Sequence, residues 1–535
     1  MGASRRGGMM RSSFTGIEMA KRSLFTQQAA LQTTGHNIAN ANTRGYTRQV
    51  VNMVAAKPIE AVGLMRSGIT GQMGQSVEFD HIDRVREKFL DSQFMNENKN
   101  LGQWEVRRDT LDKLEAIVNE PSATGIRQVV EGFWNSWQEL SKSPENLTAR
   151  VLVKERALAM TDAFNHMGKQ LDDLSKDLTE NIEVKVKESN SIMSQVASLN
   201  NEIFRVEGLG DNANDLRDHR DLLIDDLSKI LNITTSEDSS GYTIKMGSLE
   251  LVKGKNVTTT LTSAILNTSV TNGNLTSGEV YGMIFSRDNN VANFKFQLDN
   301  MMQVIATGDM PVTLPKGMVV PEGTTLNGVT YTGNIANRTL SNDLNTTVKG
   351  INGLHVLGYS GLDTVKSGVP FFTLKSGNTT YNSNSVTVNP EILSNVANIS
   401  TSTRTYMDSN GTEKVVKGNN DMALLIATIR DVEVNFDPDA TGKPILTNGT
   451  FNEFFRSIVG ELGVQSQEAT RQSVNQKMLV DQVDSNRQSV SGVSLDEEMA
   501  NMIKYQHAYN AAARSLTTFD ECLDRIINSM GLVGR

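Results

Sequence analysis

The chain has a single cysteine, Cys522, in 535 residues, so a disulfide within one copy is impossible. A protein that lives outside the cell can do without cysteine, and the count leaves the compartment open. Aromatic residues make up 6% and hydrophobic residues 38%. Both are low for this length, which predicts several elongated domains with thin cores. No apolar run approaches the roughly 18 residues of a membrane span, so no membrane is expected as a partner. The net charge of −9 lacks the basic face that phosphate neutralisation needs, so no nucleic acid is expected either. The start, MGASRRGGMMRSS, is basic, but Glu18, Lys21 and Arg22 interrupt the next dozen residues. That is no secretory h-region, and no cleavable general-secretory signal is expected.

Catalytic and metal-binding patterns are also missing. The six histidines stand singly, none with a second His or Cys at ligand spacing. The stretch GLGDNA at Gly208 lacks the third glycine of a phosphate-cradling loop. Asp437-Pro-Asp-Ala-Thr-Gly442 has the start of a calcium loop, but Asn448 stands where a bidentate Glu belongs, so it reads as a turn. No nucleophile elbow or Cys–His pairing stands out. The expectation is a chain without catalytic residues, metal or cofactor.

What is present lies at the two ends. Ile17, Leu24, Leu31 and Ile38 recur every seven residues. Leu495, Met499, Met502, Gln506, Tyr509, Ala513, Leu516, Asp520, Leu523, Ile527 and Met530 follow a 4,3 spacing. A sustained repeat of this kind is a coiled-coil seam. Gln506 and Asp520 interrupt it, either to fix register or because the seam slips there toward Ile503 and Phe519. Each buried Ile or Leu is worth about 1.5–3 kcal/mol, and an isolated amphipathic helix is marginal in water. The expectation is that both ends lack cover in one copy, stay loose there, and fold on assembly.

Between the ends the pattern is nested. Residues 1–11 read as a disordered leader, and a helix capped by Ser12 or Ser13 runs to about Asn40. Turn formers Asn40, Asn42 and Gly45 end it, and the chain is extended from Tyr46 to Val54. Residues 80–231 read as helical, with an aromatic core at Phe133, Trp134 and Trp137, one long helix over 171–203, and another over 214–231 whose mixed charges suggest a solvated face. Residues 233–275 read as β, with a hairpin at Gly247 and Ser248. A helix is expected at 279–306, a short one at 341–352, and another over 420–432. The helical period resumes at Thr450 and breaks at Ser491 and Gly492. The fold class is an α+β multidomain: terminal coiled-coil-forming helices, an elongated helical-bundle body, and inserted β-rich domains. Residues 12–48 with 487–535 form the terminal assembly domain. Residues 49–232 with 277–306, 341–360 and 417–486 form the body, and 233–276 with 307–340 and 361–416 the outer β region. Charge favours pairing of the ends: residues 1–60 carry a net +6 and residues 481–535 a net −3.

The segment SSFTGIEMAKRSLFTQQAALQTTGHNIANANTRGYTRQ resembles the amino terminus of the axial proteins of the bacterial flagellum. Its specific part holds Asn37, Ile38, Ala39, Asn40, Asn42, Thr43, Gly45 and Tyr46. The carboxyl-terminal SGVSLDEEMANMIKYQHAYNAAARSLTTFDECLDRIINSM and the internal NDLRDHRDLLIDDLS are similar to the hook-associated protein 1 family. The resemblance implies a structural subunit of the hook–filament junction, with helical ends lining an inner tube and β domains outward. It also implies export by the flagellar secretion apparatus. The partners implied are further copies of itself, the hook subunit, the second junction protein and an export chaperone. The leader before Met10 and the tail GLVGR depart from the pattern. The rivals are another axial protein (hook subunit or second junction protein), a secreted adhesin, or a helical hydrolase.

Overall fold

The computed structural model describes residues 14–58, 74–119, 125–238, 241–362 and 365–529. The leader, the Ser12 and Ser13 caps, Met530 and the tail lie outside them. Helix α1 spans Thr15–Ala39 and is followed by a tight turn and strand β1, Gln49–Ala55. Strand β2, Val77–Arg84, pairs antiparallel with β1, with a bulge at Asn52 and Met53. Long helices α2 (Lys88–Val118), α3 (Ile126–Lys142), α4 (Leu147–Glu207) and α5 (Asn214–Ile230) come next. The chain closes with a penultimate helix, Phe451–Ser491, and a C-terminal helix, Leu495–Asp524. Among the described residues no helix is long and apolar enough to cross a membrane. The architecture is α+β, with long helices and several small antiparallel sheets.

Several boundaries differ from expectation. Helix α4 runs 61 residues, well beyond 171–203, because its buried positions continue without a break from Val153 to Ile203. Residues 80–84 belong to β2. The helix expected over 341–352 is instead a strand, Leu344–Lys349, followed by the helix Gly350–Leu357. Gly350 holds φ at +59° and its Cα packs against the Ala306 backbone, so this turn needs a residue without a Cβ. The helix Ser263–Thr271, capped by the Thr262 side chain, interrupts the β stretch.

The described chain forms two compact units. One comprises residues 1–102, 184–281 and 474–535, the other 103–183 and 282–473. The partition runs through α2, α4 and the penultimate helix, so it differs from the sequence boundaries, which follow local composition. In the first unit α1 and the C-terminal helix pack antiparallel. Strands β3 (Ile233–Asp238), β4 (Gly241–Met246), β5 (Leu249–Lys253) and β6 (Asn256–Val257) form a meander in the same unit. Its β4–β5 turn lies at Gly247 and Ser248.

The second unit has an aromatic core. Phe133, Trp134 and Trp137 are almost fully buried. Their partners come from far along the chain: Phe371 lies 5.4 Å from Trp137, and Phe451 stacks on Trp134 at 6.0 Å. Phe436 stacks on Phe454 at 4.0 Å. Asp437 is a turn residue, as its sequence context suggests. Its carboxylate accepts from the Thr441 hydroxyl and from the backbone N–H groups of Thr441 and Gly442.

Candidate assembly interface

The two ends of the chain meet. Asn37, near the end of α1, lies against Glu498 at the start of the C-terminal helix. Gly16, near the start of α1, lies under the Phe519 ring near the other end. The pairing is therefore antiparallel and in register over the whole of α1. A Cβ on Gly16 would sit 2.5 Å from that ring, so the glycine makes room for it. Each end takes part of its cover from the other within one copy, which corrects the expectation that both ends are uncovered there.

The face that α1 buries is not its leucine stripe. Ala20, Thr26, Gln27, Ala30, Thr33, Thr34 and Asn37 are buried. Ile17, Leu24, Leu31 and Ile38 are only half-buried. Small side chains let neighbouring backbones approach closely, and the threonine hydroxyls satisfy themselves locally: Thr26 donates to Arg22 O at 3.0 Å and Thr33 to Ala29 O at 3.0 Å. On the C-terminal helix Leu523 is buried and Met502, Tyr509 and Leu516 are half-buried, whereas Leu495 and Met499 are exposed, as is Ile527 in the π-helical turn Arg525–Ser529 that continues it. Of the two residues at the suspected slip, Phe519 covers Gly16 and Ile503 is exposed. A repeat in sequence marks an apolar stripe; which part of it a neighbour covers depends on how closely the backbones approach.

The turn motif after α1 is held by one buried side chain. Asn37 donates from Nδ2 to Gln49 O at 2.9 Å and to Glu498 Oε2 at 3.1 Å. Its Oδ1 accepts from Tyr46 Oη at 2.7 Å and from Gln49 N at 3.0 Å. All the hydrogen-bonding capacity of the amide is used. Burial, then Asp215 and Asp218, push the Tyr46 hydroxyl above its ordinary pKa, so it remains a donor. Asn40 Nδ2 donates to His36 O at 3.1 Å, and Thr43 Oγ1 to Asn40 Oδ1 at 3.2 Å, closing the helix end. Gly45 holds φ at +82° with the Leu222 side chain beside it. Ile38 is half-buried, and Ala39 and Asn42 are exposed. Arg48 Nε donates to the buried Glu498 at 2.8 Å, and Arg48 also pairs with Glu497 at 3.2 Å. These pairs join a basic amino-terminal region to an acidic carboxyl-terminal one, as the charge difference between the ends anticipates.

Below the motif, α5 carries an ion-pair hub. Asp218, Asp221 and Asp225 lie on one face at i, i+3 and i+7. Arg84 donates to Asp218 at 2.7 Å and Asp221 at 3.0 Å. Arg86 donates to Asp91 at 2.7 Å and pairs with Asp221 at 3.3 Å. Arg487 donates to Asp225 at 2.7 Å and lies over the Phe94 ring. Asp218 Oδ2 accepts from Thr47 N at 2.9 Å, which ties the hub to the motif. On the next face Arg217 and Arg220 bind Glu237, and Arg220 lies 3.7 Å from the Tyr242 ring centre. Asp218, Arg220, Asp221 and Asp225 are buried. The solvated face expected from the mixed charges of NDLRDHRD is thus a buried network. Burial raises the carboxyls of Asp218 and Asp225, the latter to about 6, against the pull of their arginines. The missed signal was spacing: acids at helical period on α5, and two arginines close together, Arg84 ending β2 and Arg86 two residues beyond it.

Nothing in this arrangement aligns a nucleophile with a base. Among the described residues no group of three His, Cys, Asp or Glu side chains could hold a metal ion. What the geometry does is bring both chain ends into one element and leave apolar side chains uncovered on it.

Residues 111–308 match the family described as flagellar hook-associated protein FlgK helical domain. Residues 17–47 match that of the flagella basal body rod protein, and 485–530 that of the flagellar basal body rod FlgEFG protein C-terminal region. The flagellar hook-associated protein 1 of Bacillus subtilis is 34% identical over 98% of this chain and 100% of its own length. Its counterpart in Escherichia coli is 25% identical over 96% of this chain and 99% of its own. The solved flagellar hook junction protein FlgK from Burkholderia pseudomallei matches with a TM-score of 0.48 and 14% identity, over 75% of this chain and 100% of that one. The chain belongs to the flagellar hook-associated protein 1 family.

Proposed function

We propose that this chain is the structural subunit of the junction between flagellar hook and filament, assembled by its terminal helices and without enzymatic activity. The observation that carries this is the antiparallel pair of α1 and the C-terminal helix. It is covered on one face within the copy and leaves Leu495, Met499 and Ile527 exposed. Exposed apolar side chains gain about 25 cal/mol per Å² when a neighbour covers them. Contacts of unlike surfaces, head to tail, build rings or open stacks, which suits a subunit between two different structures. The half-buried Ile17, Leu24, Leu31 and Ile38, with Met502, Tyr509 and Leu516, complete the assembly surface, whereas Leu523 is buried within the copy. The partners are other copies of this chain, the hook subunit on one side and the second junction protein on the other. An export chaperone attends the free subunit, and the chain leaves the cell through the flagellar secretion apparatus.

The test is electron microscopy of cells lacking this protein. Hooks without filaments, restored by the intact chain but not by one truncated before Leu495, are the expected result. Filaments of normal number in the deletion strain would refute it.

A further inference from the structure

Beside the turn at 41–46 lies a cleft of about 960 Å³. Its walls are the second half of α4, helix α5 and the end of the penultimate helix, all within the first unit. Six carboxylates and four basic side chains line it. The basic ones are engaged from within: Arg44 with Asp226, Lys185 and Lys229 with Glu279, and Arg487 with Asp225 and Asp484. Asp481 is exposed and has no ion pair among the described residues. Half-buried Leu222 and Leu223 add an apolar strip. The cleft is at the large end of what small-molecule sites reach. Its shape and chemistry suit an extended, basic peptide with a few apolar side chains.

Such a peptide is part of this chain. Residues 1–13 contain Arg5, Arg6 and Arg11, no acid, and Met9 and Met10 among small residues. Methionine fills irregular apolar surface, and the arginines match the excess of carboxylates. We infer that the cleft receives the amino-terminal segment of a second copy of this chain. The two features stand at opposite ends of α1, a helix of 25 residues and therefore about 37 Å long. A segment that returned along its own helix would need nearly its full reach of about 45 Å. Head-to-tail stacking would bring the cleft of the next copy within shorter reach. The inference rests on the assembly reading above and gives that assembly an axial direction.

The test uses flagellated cells that make two versions of the full chain, both with Cys522→Ser. One carries Ser4→Cys and the other, with a different tag, Gln195→Cys in the cleft. A disulfide between the tags joins two copies. Oxidised junctions should yield this mixed dimer. Asp481→Lys on the cleft copy should lower the yield about fivefold, as for a loss near 1 kcal/mol. Arg5→Glu with Arg6→Glu on the other copy should restore it. Junctions that assemble without any mixed dimer overturn the inference and leave the assembly reading standing. Absence of junctions in cells making the unaltered chain overturns both.

Discussion

Glu498 accepts a hydrogen bond from Asn37 at 3.1 Å, across 461 positions of sequence. The contact joins the first helix to the last. It does so in a buried place, where Asn37 also holds the turn motif and Arg48 supplies the counter-charge.

Glu498→Ala should therefore loosen the C-terminal helix before anything else. The Arg48 guanidinium and the Asn37 amide lose a partner, at a cost of about 1–3 kcal/mol. Hydrogen exchange should speed up along α1 and the C-terminal helix and stay unchanged in the aromatic core. Uniform acceleration across the chain would show that the contact is not a local latch.

Gly45→Ala should destabilise the same unit. A Cβ there sits 3.1 Å from Leu222 and φ is +82°, so strain of about 1–3 kcal/mol is expected. Leu222→Ala removes the Cδ atoms at 3.2 and 3.3 Å but keeps the Cβ at 3.1 Å, so it should relieve the crowding only in part and leave the backbone strain, which urea midpoints of the single and double variants show as an incomplete recovery.

Asp221→Ala removes the carboxylate shared by Arg84 and Arg86. Breaking a buried ion pair from one side costs about 3–5 kcal/mol. Glu18→Ala, which breaks an exposed pair with Lys21 at 3.9 Å, should shift stability by no more than about 0.5 kcal/mol. Thermal melts of both variants beside the parent decide whether α5 is a hub or a solvated surface.

Met499→Asp should leave the melting temperature of the free subunit unchanged, because Met499 is exposed in one copy, while filaments are lost. A large fall in melting temperature would place Met499 in the core of the single subunit.

His355 gives the second unit a pH response. Its Nε2 accepts from Ser400 N at 2.8 Å, which leaves Nδ1 to donate to Val369 O. Burial pushes its pKa down to about 4. Above the unfolded value near 6.5 both states are neutral and the stability is fully present. As pH falls from 6.5 toward 4 the unfolded chain takes up a proton that the folded one refuses, and about 3 kcal/mol is lost. His355→Gln should be less stable at pH 7.5 yet show a flatter dependence across that window, read from urea midpoints at several pH values.

Much of the architecture was legible because its signals are local. The end of α1, the β1 extension, the Gly247 hairpin and the break at Ser491 and Gly492 depend on turn residues and periods within a few positions of each other. The aromatic core around Trp137 was legible as a core, but its partners Phe371 and Phe451 were not, since no local pattern links them. Helix α4 outruns its sequence pattern because polar stretches hide a continuous buried face. The site was half legible: the residues from Asn37 to Tyr46 stand out as a pattern, and the hydrogen bonds that hold them do not.

The sequence by itself determined that two amphipathic ends exist, that they carry opposite charge, and that family-specific residues close the first of them. Periodicity and turn chemistry suffice for that, being properties of neighbours along the chain. Only the tertiary structure decided which face each end buries, that Asn37 meets Glu498, and that the charges of α5 are interior. Burial depends on how closely distant backbones approach, and an aspartate reads the same in a row of letters whether water or an arginine faces it.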